Sequence, residues 1–444
     1  MYGIPLWGTA AKSHISKMET MQAKILRTIV NAPWYVRNED IRKDLKIPTV
    51  KEEIARYAKN YKERLATHPN QLVAEINETL IERRLKKKHS CARFGSRKEA
   101  EYFNPFILML LDGRSPKVPD SVHHLRPGDI DVIAAMGDSL TAGAGIFATN
   151  LLELSIENRG ASASIGGQGT WRTYLTLPNI FKEFNPKLIG YALGDSLTTQ
   201  PASQLDVAEI GAMSRDMPFM AKHLINKIRN DPRINMKKHW KLIFLFIGHN
   251  DFCADICALP SPWSVLDNHK TDLINTLRIL RDNIPRTLVA IQVMPHLKEL
   301  VATREGRNSL KCYIMTTIEC SCLFALQFRD RRQEYYEIIK RWQELEEEVV
   351  NYSEFHRNDF TVVSLPTLKH AKVPLAKDGF ADLSYLSADC FHLSQKSNAL
   401  LANNLWNNLL EPVGNKSSTW TPLYERFLCP TSERPRLTTD FPSR

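Results

Sequence analysis

Five residues of this chain have the types and spacing of an acyl-transfer site: Ser139, Gly211, Asn250, Asp389 and His392. Ser139 stands in Gly-Asp-Ser-Leu, directly after the apolar run Val132 to Met136. That pattern reads as a buried strand ending in a turn that opens a helix. The small residues Thr141, Ala142, Gly143 and Ala144 leave the space before the hydroxyl open. A serine hydroxyl is a weak nucleophile until a base takes its proton, and a histidine titrating near neutrality suits that task. Asp389 and His392 stand three apart, so one turn projects both to the same side. An aspartate so placed fixes the imidazole tautomer and stabilises its charged form. A tetrahedral oxyanion needs preorganised donors, for which the Ser139 and Gly211 amides and the Asn250 side chain are the candidates.

These residues are far apart in the chain, so a fold must gather them. From Asp131 onward, apolar runs alternate with helical patterns. DVIAAM, KLIFLFIG (241–248), TLVAIQVMP (287–295) and FTVVSLP (360–366) read as strands, with LDVAEIGA (205–212) a weaker one. Helices are expected at Pro218–Arg229, His269–Asp282, Asp330–Phe355 and Gln395–Leu410. Nearly continuous apolar strands alternating with helices predict an α/β fold, a three-layer α/β/α sandwich around a parallel sheet. In such sheets the loops at the carboxyl ends of the strands converge. Ser139, Gly211, Asn250 and the Asp389–His392 turn all lie in loops of that kind.

The 444 residues exceed one usual domain, and charge divides them. Residues 1–100 hold 21 basic and 11 acidic residues, leaving 38 of each in the remainder, so the whole excess of +10 lies at the front. Residues 1–90 read as a basic helical segment, 91–120 as a Gly- and Pro-punctuated junction, 121–436 as the α/β domain and 437–444 as a tail. Within the first segment Met18, Met21, Ile25, Leu26 and Ile29 share a helix period, as do Ile54, Tyr57, Ala58, Tyr61 and Leu65. A third helical pattern, Gln71 to Leu85, runs into the cluster RRLKKKH (83–89), which reads as a solvated helix end in preference to a phosphate-binding tail. Nucleic-acid contact is therefore the minor reading. The eight cysteines cluster as Cys253/Cys257 and Cys312/Cys320/Cys322, with Cys91, Cys390 and Cys429 apart. Cys-x3-Cys and Cys-x-Cys without a nearby histidine pair is poor zinc spacing and suits local disulfides. No metal or other cofactor is expected. The first residues lack the basic start and apolar core of a secretory signal, and no apolar run reaches the roughly 18–20 residues that span a bilayer. Cysteine usage and leader thus disagree, and the compartment stays open, as does the oligomeric state.

The blocks around Ser139, Gly211, Asn250 and His392 resemble the four name-giving positions of the GDSL (SGNH) hydrolase superfamily, and Asp389 fits its Asp-x-x-His block. RSPKVPDSVHHLRPGDIDVIAAMGDSLTAG, SIGGQGTWRTYLTLPNIFKEFNP, WKLIFLFIGHNDFC and DCFHLS are similar to the phospholipase B branch over roughly residues 112–436. The resemblance implies a flavodoxin-like SGNH fold, a Ser139–His392–Asp389 triad, and an oxyanion hole of Ser139, Gly211 and Asn250. It implies calcium-independent hydrolysis of phospholipid and lysophospholipid esters, with transient contact to a membrane surface, in a family normally secreted or membrane-anchored. Residues 3–88 resemble the carboxy-terminal extension of reverse-transcriptase polyproteins of jockey-like non-LTR retrotransposons, a region without polymerase carboxylates, which implies a fused fragment. Two departures matter. The glycine block reads DVAEIGAMSRDMP, where Asp206 replaces an amide and Glu209 adds a charge. A carboxylate facing the pocket would oppose the oxyanion and leave an inactive, lipid-binding fold. His249 is bulkier than the residue usual before Asn250. A second Gly-Asp-Ser-Leu, Gly194–Leu197, is read as a coincidence in a loop, because only 15 residues separate Ser196 from Gly211. Arg159 and Trp171 are expected to serve packing before any cleft.

Overall fold

The computed structural model describes residues 12–30, 32, 36–56, 59, 113–306, 309–423 and 425–439. The chain divides into two compact units, Met1–Lys88 and His89–Arg444.

In the first unit, helix α1 (Lys12–Ile29) meets α2 (Asn38–Leu45). Arg42 of α2 donates to Gln22 Oε1 and Glu19 Oε2, each at 3.2 Å. That contact turns the Ile15, Ala23 and Leu26 side of α1 inward and leaves Met21, Ile25 and Ile29 exposed. The apolar face expected from periodicity was thus rotated, because the polar pair to α2 sets which side is covered. The pattern at Gln71 to Leu85, the basic cluster after it and Cys91 lie outside the described residues.

The second unit is built on a four-stranded parallel sheet in the order β1 (Ile130–Gly137), β2 (Trp240–Phe246), β3 (Thr287–Gln292), β4 (Phe360–Leu365). Every residue of β1, β2 and β3 is buried, so both faces of the sheet are covered. The helices of this unit are α3 (Ser139–Ala142), α4 (Leu177–Phe184), α5 (Met217–Asn230), α6 (Ser264–Asn283), α7 (Lys298–Glu305), α8 (Leu310–Glu319), α9 (Ser321–Phe324), α10 (Arg332–Val350) and α11 (Gln395–Leu410). Right-handed crossovers place α5, α6 and α10, which join successive strands in one direction, on the same face. Helix α4 runs from β1 the other way and pairs instead with α11, where Trp406 stacks on Phe184 at 5.2 Å and meets Phe181 edge-on at 5.4 Å.

The weak strand candidate at 205–212 lies on the free side of β1 without forming a regular strand. Ala135 donates to Leu205 O, Val207 to Ala135 O and Glu209 to Gly137 O, at 3.0 to 3.1 Å. A segment that follows β1 in sequence therefore sits on the opposite side from β2. The connections thus diverge at β1, and a crevice at the carboxyl end of such a strand is where open α/β sheets bind ligands.

Among the described residues three disulfides close this unit, and none of them is local. Cys253–Cys320, Cys257–Cys322 and Cys312–Cys390 span 67, 65 and 78 residues. Two clusters expected to bridge within themselves instead bridge to each other and to the Asp389–His392 turn, because the fold brings distant loops to one sheet edge. Loops of this length give each bridge roughly 4 kcal/mol in the chain-entropy view. Among the described residues no helix is long and apolar enough to cross a membrane.

Candidate active site

Strand β1 carries Ser139 to the sheet edge. Asp138 caps the turn that follows, its Oδ1 accepting the Leu140 amide at 2.9 Å. Ser139 then occupies the first position of α3, where helix amides have no intrahelical partner. His392 reaches it from a turn 253 residues away. The Ser139 hydroxyl donates to His392 Nε2 at 2.9 Å, and His392 Nδ1 donates to Asp389 Oδ2 at 2.5 Å. The other Asp389 oxygen accepts the Phe391 and His392 amides, both at 3.0 Å, which fixes the carboxylate and so the ring. Cys390, between the two, holds a left-handed conformation at φ 60° and is tied to α8 by its disulfide. A non-glycine residue there is strained, so the turn is over-determined by its surroundings.

Electrostatics favour a charged pair. Burial works against ionised Asp389, but the hydrogen bond and charge of His392 outweigh it and hold the carboxyl below its usual range. Burial likewise pushes His392 down, yet Asp389 first, then Glu319 and Asp138, raise it above the ordinary histidine value. A base must be neutral to accept a proton, so kcat/KM should rise with pH through that elevated value. Removing one anion tests this: Glu319→Gln should move the acid limb of the kcat/KM profile to lower pH. An unmoved limb would contradict the assigned field.

Gly211 and Asn250 converge on the same edge. The bond from Glu209 to Gly137 O holds the glycine turn beside the end of β1. Gly211 has φ 79°, and a Cβ added there would meet nothing within 4 Å, so the turn needs glycine for its backbone and faces open space. Among the described residues, neither the Ser139 nor the Gly211 amide donates to another group. Asn250 begins a single π-helical turn after β2, and its Nδ2 donates to Ala212 O at 2.8 Å. A primary amide has two hydrogens, so one is left for a ligand. Asp251 accepts the Ser214 amide with both oxygens, at 3.1 and 3.2 Å, and so locks the asparagine turn to the glycine turn. Burial pushes its carboxyl up to about 7.

In the glycine block both carboxylates have partners of their own. Asp206 is fully buried and pairs with Arg159 Nη1 at 3.0 Å, while Arg159 also donates to Glu157 Oε2 at 2.7 Å. The same guanidinium donates to Ala208 O at 2.7 Å, so it holds the strand-like segment that leads to Gly211. Glu209 is engaged by the Thr198 hydroxyl. The charge substituted into this block therefore meets its own counter-ion, and no carboxylate of it needs to face an oxyanion. The second Gly-Asp-Ser-Leu is a loop with Asp195 and Leu197 exposed and Ser196 buried, and the Ser196 carbonyl accepts from Arg159 Nε at 2.8 Å. Arg159 is thus interior, and Trp171 lines a groove with Arg172, Tyr174 and Leu423 that includes no triad residue.

Two features escaped sequence reasoning. His249 is buried, its Nδ1 donating to Asp138 Oδ2 at 2.8 Å, so the bulky residue before Asn250 supports the serine turn. Ser214, His269 and Glu346 form a second, wholly buried row, with Ser214 Oγ 2.5 Å from His269 Nδ1 and Glu346 Oε1 3.7 Å from Nε2. Burial pushes His269 down to about 3, and its ring stacks on Trp342 at 3.5 Å. No spacing in the sequence marks these partners, which lie on α6, α10 and the glycine turn.

Comparison with known proteins identifies the family. The model of the GDSL-like lipase/acylhydrolase family matches residues 133–405. Membrane-associated phospholipase B1 of Rattus norvegicus is 38% identical over 328 residues, 73% of this chain and 22% of that protein. The Homo sapiens protein is 39% identical over 314 residues, 68% and 21% of the two chains. The chain spans about a fifth of the length of these relatives. The RNA-directed DNA polymerase from mobile element jockey of Drosophila melanogaster is 42% identical over 97 residues, 20% of this chain and 11% of that protein. Among solved structures, an extracellular lipase from Streptomyces rimosus is 12% identical with a TM-score of 0.29, covering 60% of this chain and 94% of that one. With its match running from the first strand of the sheet into the last helix, the chain belongs to the GDSL-like lipase/acylhydrolase family.

Proposed function

We propose that the second unit hydrolyses acyl esters of phospholipids and lysophospholipids through an acyl-enzyme on Ser139. The observation that carries this reading is the unbroken row from Ser139 Oγ through both nitrogens of His392 to Asp389. In the first half-reaction Ser139 Oγ attacks the ester carbonyl carbon while His392 Nε2 takes its proton. The tetrahedral oxyanion is held by the Ser139 and Gly211 amides and the uncommitted Asn250 N–H. Collapse expels the alcohol, which takes the proton from His392. In the second half-reaction His392 deprotonates water, the hydroxide attacks the acyl carbon, and Ser139 leaves reprotonated. The phospholipid class rests on the phospholipase B1 relatives and on the sequence blocks shared with that branch.

The reading is tested by release of fatty acid from lysophosphatidylcholine and of nitrophenolate from p-nitrophenyl butyrate. Turnover of both is expected, and absence of turnover by folded, disulfide-intact protein would reject it. Asn250→Ala should lower kcat by about 10²- to 10³-fold with little change in KM, because that donor acts on charge that exists only in the transition state. A raised KM with unchanged kcat would place Asn250 in substrate binding instead.

A further inference from the structure

Helix α8 is amphipathic in the wrong sense for a soluble surface. Cys312 and Thr316 face inward, whereas Leu310, Tyr313, Ile314 and Ile318 are 74, 43, 48 and 67% exposed. Their spacing puts all four on one side of the helix. Covalent bonds fix where this stripe lies. Cys312 ties α8 to Cys390, between Asp389 and His392, and the Leu386 and Leu383 side chains pack around that bridge. Immediately past its end, Cys320 and Cys322 tie the chain to Cys253 and Cys257, in and just beyond the π-helical turn that follows Asn250. The helix therefore straddles the two loops that bring the base and the oxyanion donor, and Glu319 at its end contributes to the field at His392. Leu375, 71% exposed, pairs with Ala381 in the turn that leads into Leu383. Exposed Lys311 and Lys377 lie in the same two segments.

We infer that the exposed face of α8 is the surface by which the catalytic unit settles on a phospholipid layer. The occupant follows from position. A folded protein seated across both catalytic loops would cover the approach to Ser139, whereas a lipid layer is itself the source of the ester. Apolar side chains that enter the acyl region beside cationic ones that meet phosphates match that layer chemically. The inference rests on the lipid-ester reading above and names how that substrate is presented.

The test is the triple variant Leu310→Ser, Ile314→Ser, Ile318→Ser in the full chain, all three positions being exposed and outside the triad. Free-thiol titration checks that the disulfides are intact. Partition onto phosphatidylcholine vesicles, read by co-sedimentation, should fall at least tenfold. Turnover of the same vesicles should fall by a similar factor, while kcat/KM for p-nitrophenyl butyrate stays within about twofold. Unchanged partition overturns the inference, as does a loss on the soluble ester equal to that on vesicles. Sedimentation velocity supplies the other outcome: a wild-type dimer that the variant dissolves would give the face to a second copy and overturn lipid docking. Because partition is read without turnover, failure of the esterase reading shows separately, as wild type that binds vesicles yet cleaves neither substrate.

Discussion

Ser139→Ala is expected to lower kcat on p-nitrophenyl butyrate by roughly 10⁴- to 10⁶-fold. The hydroxyl is the group at the end of β1 that His392 Nε2 engages, and without it only water attack assisted by the remaining donors persists. Among the described residues the side chain hydrogen-bonds to His392 alone, so the thermal midpoint should move little. His392→Ala should cost a similar factor, and the double variant hardly more than either single one, because the pair acts as one device. Independent, multiplying losses would mean that the two residues serve different steps. Equal turnover by Ser139→Ala and wild type would dismiss the serine as nucleophile.

The second large effect lies in the interior. Arg159→Met should destabilise the catalytic unit by about 3–5 kcal/mol, since it leaves Glu157 and Asp206 buried without their counter-ion. Burial already pushes Asp206 up to about 6 even with Arg159 opposing it. A carboxyl whose folded pKa is raised costs no stability below its unfolded value near 3.8, and the cost grows as pH rises through the folded value. Without the guanidinium the folded value rises further, so the deficit should widen as pH rises above about 6. Thermal unfolding across that range checks it, and Arg159→Met with Asp206→Asn should recover part of the loss. A deficit independent of pH would point to lost packing instead of unpaired charge. The same variant should weaken activity, because Arg159 holds the Ala208 carbonyl just ahead of Gly211.

Arg159 and Asp206 also show where sequence reasoning ends. Read along the chain, Asp206 in the glycine block looked like an obstacle to oxyanion chemistry. In space it is the partner of an arginine 47 residues earlier that had no assigned chemistry. Nothing local links the two, since pairing across β1 depends on how the segment at 205–209 returns beside the strand. Likewise Cys253 and Cys257 looked like a local pair, yet each bonds a cysteine about 65 residues on. His249, Ser214 and His269 gained partners only through packing.

What the amino-acid order settled by itself was local and periodic. Apolar runs long enough to bury both faces defined β1 to β4, and the residues of the proposed triad stood out because serine, histidine and aspartate in these short blocks have few other reasons to occur together. Only the tertiary structure decided which atoms meet. The 2.9 Å approach of His392 to Ser139, the outward face of α8 and the pairing of buried charges all depend on contacts between segments far apart in sequence. Local propensity is set by a residue's neighbours in the chain, whereas hydrogen bonds, ion pairs and disulfides are set by distance, and the crossovers of the sheet convert one into the other.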